Sequence, residues 1–424
     1  MARVLLLLPT TSYRTPDFLK AAEKLGVAVT VASEEASTLE ERNPEGLLTL
    51  DFKSPEACAD RVAAFAKRYP LSAVIGVDED TAVVASVIAA RLGLPHNPVS
   101  AVEAARNKAR MRELLARNGL PSPPHRLFRI GEDPGSAARG VTYPCVLKPT
   151  FLAASRGVIR ADDAAAFVEA WRRIAAILQS PEIVRRDTEA AREILVEGFV
   201  PGAEVALEGL LRDGMLRVLA LFDKPDPLEG PYFEETIYVT PSRLTADVQN
   251  GVAQTAGRAA DALGLRDGPV HGEFRINAGG IWTVEMAARS IGGLCSRTLR
   301  FGTGISLEEL ILRHALGLDV TSFGREPRAA GVMMIPIPRA GVLEEVLGLE
   351  EARRIPQIEE IAISAHLGQS LVPLPEGSRY LGFLFSRAET PERAEAALRE
   401  AHARLQFVIS GSNAQGRNPS LRSG

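Results

Sequence analysis

Residues 270–289 read VHGEFRINAGGIWTVEMAAR: two β-rich runs, VHGEFRI and GIWTVEM, on either side of the turn Asn277-Ala278-Gly279-Gly280. A glycine-rich turn between two such runs predicts an antiparallel pair. Folding back through that turn brings Glu273 and Glu285 opposite or nearly opposite each other on one face. Two carboxylates brought together repel unless a cation lies between them. Magnesium bridging nucleotide phosphates meets that need, because it takes oxygen from one or two carboxylates and completes its shell with phosphate and water. Arg289, four residues after Glu285, is close enough to reach the same phosphates or a developing oxyanion. On spacing alone, exposed strand glutamates and a surface arginine remain the competing reading.

Upstream, the runs EILVEGFV (193–200) and AEVALEGLL (203–211) flank Pro201-Gly202 and read as a hairpin carrying Glu197 and Glu204. Before them, the strand YPCVLKP ends at Lys148, and the turn FLAASRGVIR follows with Ser155, Arg156 and Gly157. A lysine leaving a strand beside a small-residue turn can hold a phosphate while backbone N–H groups cover it, although a surface lysine is the commoner case. A basic amphipathic helix starts near Asn107, carries Lys108 and stops at Gly119. Downstream of the hairpin come a proline-rich loop, DKPDPLEGPYFEE (223–235), and a helix over about 245–263.

At the amino terminus RVLLLL, VAVTVAS and SAVIGVDED alternate with helical patterns, which predicts an open parallel sheet. Asp78, Glu79 and Asp80 close its last strand, where open sheets commonly bind ligands; exposed loop carboxylates are an equal reading. Neither G-x-G-x-x-G after the first strand nor G-x-x-x-x-G-K-[ST] occurs, so dinucleotide and P-loop fingerprints are lacking. At the carboxyl end AAGVMMIPI, EIAISAHL and YLGFLFSRA read as strands, Thr390-Pro391 opens a helix, and a polar tail follows from 409.

The 424 residues suit two to three domains. A balance of 49 Lys+Arg against 53 Asp+Glu provides no basic field for nucleic acid. Cys58, Cys145 and Cys295 form no C-x-x-C pair, so neither a disulfide framework nor a thiolate zinc site is indicated. The apolar run Val4 to Leu8 is too short for a signal core or a membrane span, and a cytoplasmic location is expected.

Taken in order, Lys108, Lys148, Glu197, Glu204, Glu273 and the E-M-A-A-R at 285–289 resemble the ATP-grasp superfamily. The loop from Asp223 and the carboxyl-terminal third look like the L-amino-acid ligase branch. The resemblance implies an ATP-grasp fold, α/β and α+β, with an amino-terminal open parallel-sheet domain (1–105). The ATP-grasp domain (106–320), an α+β ligase-like domain (321–408) and a disordered tail (409–424) would follow. It implies that Lys108 and Lys148 contact ATP phosphates, that Glu197 and the Phe199 backbone lie by adenine, and that Glu204 lies on the ribose. Ser155, Arg156 and Gly157 would form the phosphate-covering loop. Glu273 and Glu285 would hold Mg2+ (or Mn2+), and Arg289 the reacting phosphoryl group.

Two departures stand out: Ala287 occupies a position where many relatives have a metal-ligating Asn, and FLAASRG is poor in glycine. The implied activity is ATP-dependent carboxylate–amine ligation through an acyl phosphate. Lys224, Glu235, Gly292 and Gly293 are candidate substrate positions, and amino acids or related amines the small-molecule partners. His271, His314 and Cys295 read as structural. Alternatives are a carboxylase-like or formate-activating relative and a nucleotide-binding sensor or scaffold. The apolar carboxyl-terminal unit is compatible with a homodimer.

Overall fold

A computed structural model describes residues 2–411. β1 (Arg3–Leu7) is buried over nearly its whole length, which requires cover on both faces. β2 (Ala28–Ser33), β3 (Leu47–Thr49) and β4 (Ala73–Gly76) join it in a parallel sheet of order β3-β2-β1-β4. Val4 and Leu6 pack with α1 (Thr15–Leu25) towards the body of the protein. Leu5 and Leu7 pack on the other side with α2 (Pro55–Ala66) and α3 (Glu79–Leu92). β4 runs almost directly into α3, so the acidic run 78–80 lies at the carboxyl edge of this sheet.

Two helices follow, α4 (Val99–Arg106) and α5 (Lys108–Arg117), where the sequence patterning predicts only the second. α4 is eight residues of mostly small apolar character, too short for a clear helical period. Asn107 separates the two, its side chain accepting from the N–H groups of Ala109 and Arg110 at 3.0 and 3.1 Å as the N-cap of α5.

The next module is an antiparallel sheet of order β5-β8-β6-β7, made of β5 (His125–Arg129), β6 (Cys145–Pro149), β7 (Ile159–Ala161) and β8 (Glu193–Gly198). Three helices belong to it: α6 (Pro134–Ala138), α7 (Ala164–Leu178) and α8 (Pro181–Arg186). α7 buries Phe167, Trp171 and Ile174 in one core with Leu147 and Val196.

β9 (Ala203–Arg212), β10 (Met215–Lys224), β11 (Ile237–Thr240), β12 (Gly268–Asn277) and β13 (Gly280–Ala287) belong to a second, larger sheet, with α9 (Ala246–Leu263) packed on it. The hairpin expected at Pro201-Gly202 is therefore corrected: β8 pairs with β5 and β6, whereas β9 pairs with β10 and β12. The turn passes the chain from one sheet to the other. Gly202 is needed there, with φ 123°, because a Cβ would lie 2.2 Å from the Ile276 carbonyl oxygen.

The carboxyl-terminal strands Ala329–Ile335, Gly382–Ala388 and Ile358–Ile363 extend this same sheet beyond β11, giving eight strands. Helix Pro391–Arg404 covers them, with the Thr390 side chain accepting from Arg393 N as expected. Strands Gly341–Leu347, Ser370–Leu371 and Gln406–Ser410 form a small separate sheet. The tail expected from 409 is corrected at its start, since 409 and 410 belong to a strand; 412–424 lie outside the described residues. Among the described residues no helix is long and apolar enough to cross a membrane.

Candidate functional site

Two clefts flank the carboxylate pair. The first, of about 770 Å³, lies between the small sheet and β12–β13; Lys108, Lys148, Glu197, Phe199, Glu204, Glu273 and Glu285 all line it. The second, of about 1510 Å³, lies towards the carboxyl edge of the amino-terminal sheet, with Glu79, Arg289, Gly292, Gly293, Tyr380 and Phe383 in its wall. Ser155, Glu235, Glu273 and Glu285 line both, so the clefts meet at these side chains and at the loop 152–155.

Glu273 and Glu285 are directly paired across β12 and β13, as the turn predicts, and a bulge follows at Phe274. The Lys108 ammonium donates to the Leu152 carbonyl at 2.9 Å and lies 3.4 Å from Glu285 Oε2. Lys148 is buried against Glu197. Burial, only partly offset by Glu197, pulls its pKa below the usual lysine value. Arg112, which sequence reasoning passed over as one of several basic residues on α5, is the other partner. Its Nε donates to Glu197 Oε2 at 2.8 Å, and its two terminal nitrogens donate to the carbonyls of Thr283 and Val284. Burial opposes the Glu197 carboxylate, but Arg112 and Lys148 outweigh it and its pKa falls to about 2.

Phe199 lies against the guanidinium groups of Arg160 and Arg275, at 4.2 and 5.2 Å from the ring centroid. Its N–H donates to the Pro144 carbonyl, leaving its own carbonyl as the backbone group available to a ligand. Glu204 is held by Arg275 Nε at 2.7 Å and Lys224 Nζ at 2.8 Å.

In the covering loop, Ala154, Ser155 and Gly157 have φ of 55°, 53° and 74°. Gly157 N–H donates to the Pro375 carbonyl of the carboxyl-terminal module. Among the described residues the N–H groups of Ala154 and Ser155 have no protein acceptor. Successive N–H groups in left-handed backbone make an anion-binding concavity, which suits the phosphate-covering expectation. Arg156 extends into the second cleft and pairs with Glu182 at 3.2 Å.

Arg289 donates through Nε to Glu79 at 2.7 Å and through Nη1 to the Ser290 carbonyl. Nη2 makes no hydrogen bond among the described residues. Burial works against its charge, but Glu79, Glu285 and Asp78 raise its pKa above the ordinary arginine value. The segment carrying Gly292 and Gly293 is fixed by Arg14, which is 1% exposed: it donates to Ser290 Oγ at 2.6 Å, Ile291 O at 3.2 Å and Glu308 at 2.7 Å. Nothing in the local pattern PTTSYRTP marks Arg14, because its partners lie more than 270 residues away.

The expectation that Lys224 faces a substrate is corrected. It lines neither cleft, and its ammonium lies among Glu204, Glu235 and Glu273. Glu235 does face both clefts, and burial, against the pull of Lys224, raises it to about 7. His271 donates to Glu208 at 2.5 Å and lies 3.5 Å from Glu273. Burial disfavours its charge, but both glutamates outweigh that and raise it to about 9. Burial raises the Cys295 thiol, so this residue stays protonated and packs beside Met334, in keeping with a structural role. Ala287 is buried opposite His271 and offers no oxygen to a metal.

Residues 141–298 match the ATP-grasp domain family, 19–96 the ATP-grasp N-terminal domain and 333–410 the L-amino acid ligase C-terminal domain 2. The chain is 28% identical over 290 residues to an alanine–anticapsin ligase of Bacillus subtilis, covering 65% of this chain and 59% of that protein. It is 29% identical over 323 residues to carnosine synthase 1 of Gallus gallus, covering 71% of this chain and 34% of that one. It therefore matches less than two thirds of the length of each. The crystal structure of an L-amino acid ligase from Bacillus licheniformis superposes with a TM-score of 0.83 at 28% identity, covering 97% of this chain and 99% of that one.

Proposed function

The chain belongs to the ATP-grasp superfamily, in the L-amino acid ligase branch of its ATP-dependent carboxylate–amine ligases, and on that premise we propose that it joins two small amino-acid substrates. The product is a dipeptide-type amide, formed through an acyl phosphate with release of ADP and phosphate. The observation that carries this reading is the junction: the cleft lined by Lys108, Lys148 and Glu197 and the second cleft lined by Arg289 share Glu273, Glu285 and the loop 152–155. A phosphoryl group passed from one occupant to the other must cross there.

A carboxylate is a poor electrophile, so amide formation needs an activated acyl group. In the first cleft Lys108 and Lys148 hold the triphosphate, and the free N–H groups of Ala154 and Ser155 cover it. In the second cleft Arg289 holds the donor carboxylate, while Glu79 offers a partner for an ammonium group. A donor oxygen bonds to the γ-phosphorus as the bond to the β-bridging oxygen breaks, and ADP leaves. The amine nitrogen then bonds to the acyl carbon, Arg289 offsets the oxyanion, and the carbon–oxygen bond to phosphate breaks as the nitrogen's proton passes to the departing phosphate. Gly292, Gly293 and Glu235 bound the space for the amino acids.

Magnesium fits the donor set: two directly paired carboxylates, oxygen donors only, with side chains 16% and 23% exposed at the junction. Glu273 and Glu285 would hold it, and when bound it withdraws charge from the phosphate oxygens. The loop 151–157, tied to Pro375, keeps water from the mixed anhydride. We place the protein in the cytoplasm, which supplies ATP and keeps its three buried thiols reduced.

The test is ADP release with ATP and Mg2+ over a matrix of amino-acid pairs, with mass spectrometry of products. ADP release without any matching amide, or stimulation by bicarbonate or formate alone, overturns the reading.

A further inference from the structure

Lys224 lies under the junction, on the last residue of β10, with a side chain 3% exposed. An ammonium has three N–H donors. Lys224 donates to Glu204 Oε1 at 2.8 Å and Glu235 Oε1 at 2.5 Å, and its ammonium forms an ion pair with Glu273 Oε1 at 3.1 Å. The three acidic side chains have ligand oxygens within 4.8 Å of one another, a spacing that would itself suit a metal ion. Acidic side chains that close, and largely buried, repel one another, and a cation among them relieves that repulsion.

The contacts are also one-sided. On Glu273 the Lys224 ammonium, His271 Nε2 and the Tyr238 hydroxyl all approach Oε1, at 3.1, 3.5 and 3.5 Å. On Glu235 both Lys224 and Tyr238 use Oε1. No lysine, arginine, histidine, tyrosine or backbone donor among the described residues bonds the Oε2 atom of either residue, although both residues line the two clefts.

We propose that Lys224 is a positioning residue whose ammonium serves as the resident cation of the Glu204–Glu235–Glu273 cluster, excluding a metal ion from it and turning the free oxygens of Glu273 and Glu235 towards the junction. A metal ion is thereby confined to the Glu273–Glu285 side, next to the phosphates. This rests on the ligase reading only for what happens at the junction; the cation arrangement is testable without nucleotide or amino acids.

The experiment is Mn2+ titration of the nucleotide-free full chain by electron paramagnetic resonance. Lys224→Met is expected to bind one more equivalent of Mn2+ than the wild type, and adding Glu204→Gln to that variant is expected to remove the extra site. Equal stoichiometry in Lys224→Met and wild type, with circular dichroism showing both folded, overturns the proposal. If Lys224→Met does not fold, the wild-type background decides. There Glu204→Gln should leave Mn2+ affinity within twofold, whereas Glu273→Gln should weaken it at least tenfold. Equal weakening by the two overturns the proposal. Neither result depends on whether any amino-acid pair is ligated, so failure here is distinct from failure of the ligase reading.

Discussion

Replacing Arg112 by Met removes the group that ties the Glu197 carboxylate to the backbone of β13. β13 is the edge strand of the large sheet, and Arg112 supplies the donors for its Thr283 and Val284 carbonyls, at 3.1 and 2.6 Å. The substitution forfeits a charge-assisted bond of about 1.5–3 kcal/mol and strands up to two carbonyls at about 1–3 kcal/mol each. Water reaching the sheet edge recovers part of this, and Lys148 still neutralises Glu197. The expected net loss is therefore about 3–5 kcal/mol, the range for breaking a buried pair. Glu197→Gln leaves Arg112 and Lys148 facing each other without an anion. In the double variant neither fault is complete, so its loss should fall short of the sum of the single losses by about 1.5–3 kcal/mol. Urea unfolding is read from Trp282, beside Thr283, in a Trp171→Phe background, since the chain has only these two tryptophans. A single-variant loss below about 1 kcal/mol, or strict additivity in the double variant, would refute the reasoning.

Gly157→Ala introduces a Cβ 2.9 Å from Pro149 Cγ at a φ of 74°. The strain of about 1–3 kcal/mol should appear as a rise of about tenfold or more in KM for ATP, measured by steady-state kinetics. Glu285→Gln should lower kcat by at least about a hundredfold with the circular dichroism spectrum unchanged, because a neutral amide holds the metal and its phosphate charge poorly. The folded-state pKa of Glu197, about 2, lies below its unfolded value. Its contribution of about 3 kcal/mol is therefore whole above about pH 4.5 and is lost as the pH falls through about 2. The stability gap between wild type and Glu197→Gln should narrow over that window in urea titrations. Arg173 pairs with Glu376 across to the carboxyl-terminal module, but both are more than a third exposed. Arg173→Ala should therefore change stability by less than about 1 kcal/mol while raising amino-acid-independent ATP hydrolysis.

The turn at 277–280 made the Glu273–Glu285 pairing readable from the sequence, because a short glycine-rich connection leaves few registers to choose from. The parallel amino-terminal sheet was equally readable, since continuous apolar runs such as Val4–Leu8 have no exposed face. Which sheet a strand joins was not readable: β8 and β9 have similar patterns and a four-residue connection, yet they part at Gly202 because of a close approach to β12, 74 residues further on. The same limit hid Arg14 and Arg112, whose partners are distant in sequence. It also misplaced Lys224, whose exposed-looking Asp-Lys-Pro context gives no sign of the three carboxylates gathered around it by β9, β12 and the loop before β11.

The central claim is transfer across the junction, and oxygen tracing tests it most directly. With a donor amino acid labelled with 18O in its carboxylate, ATP and Mg2+, each amide formed should be matched by one ADP and one phosphate carrying a single 18O from the donor. Unlabelled phosphate, or AMP and pyrophosphate in place of ADP, would contradict it.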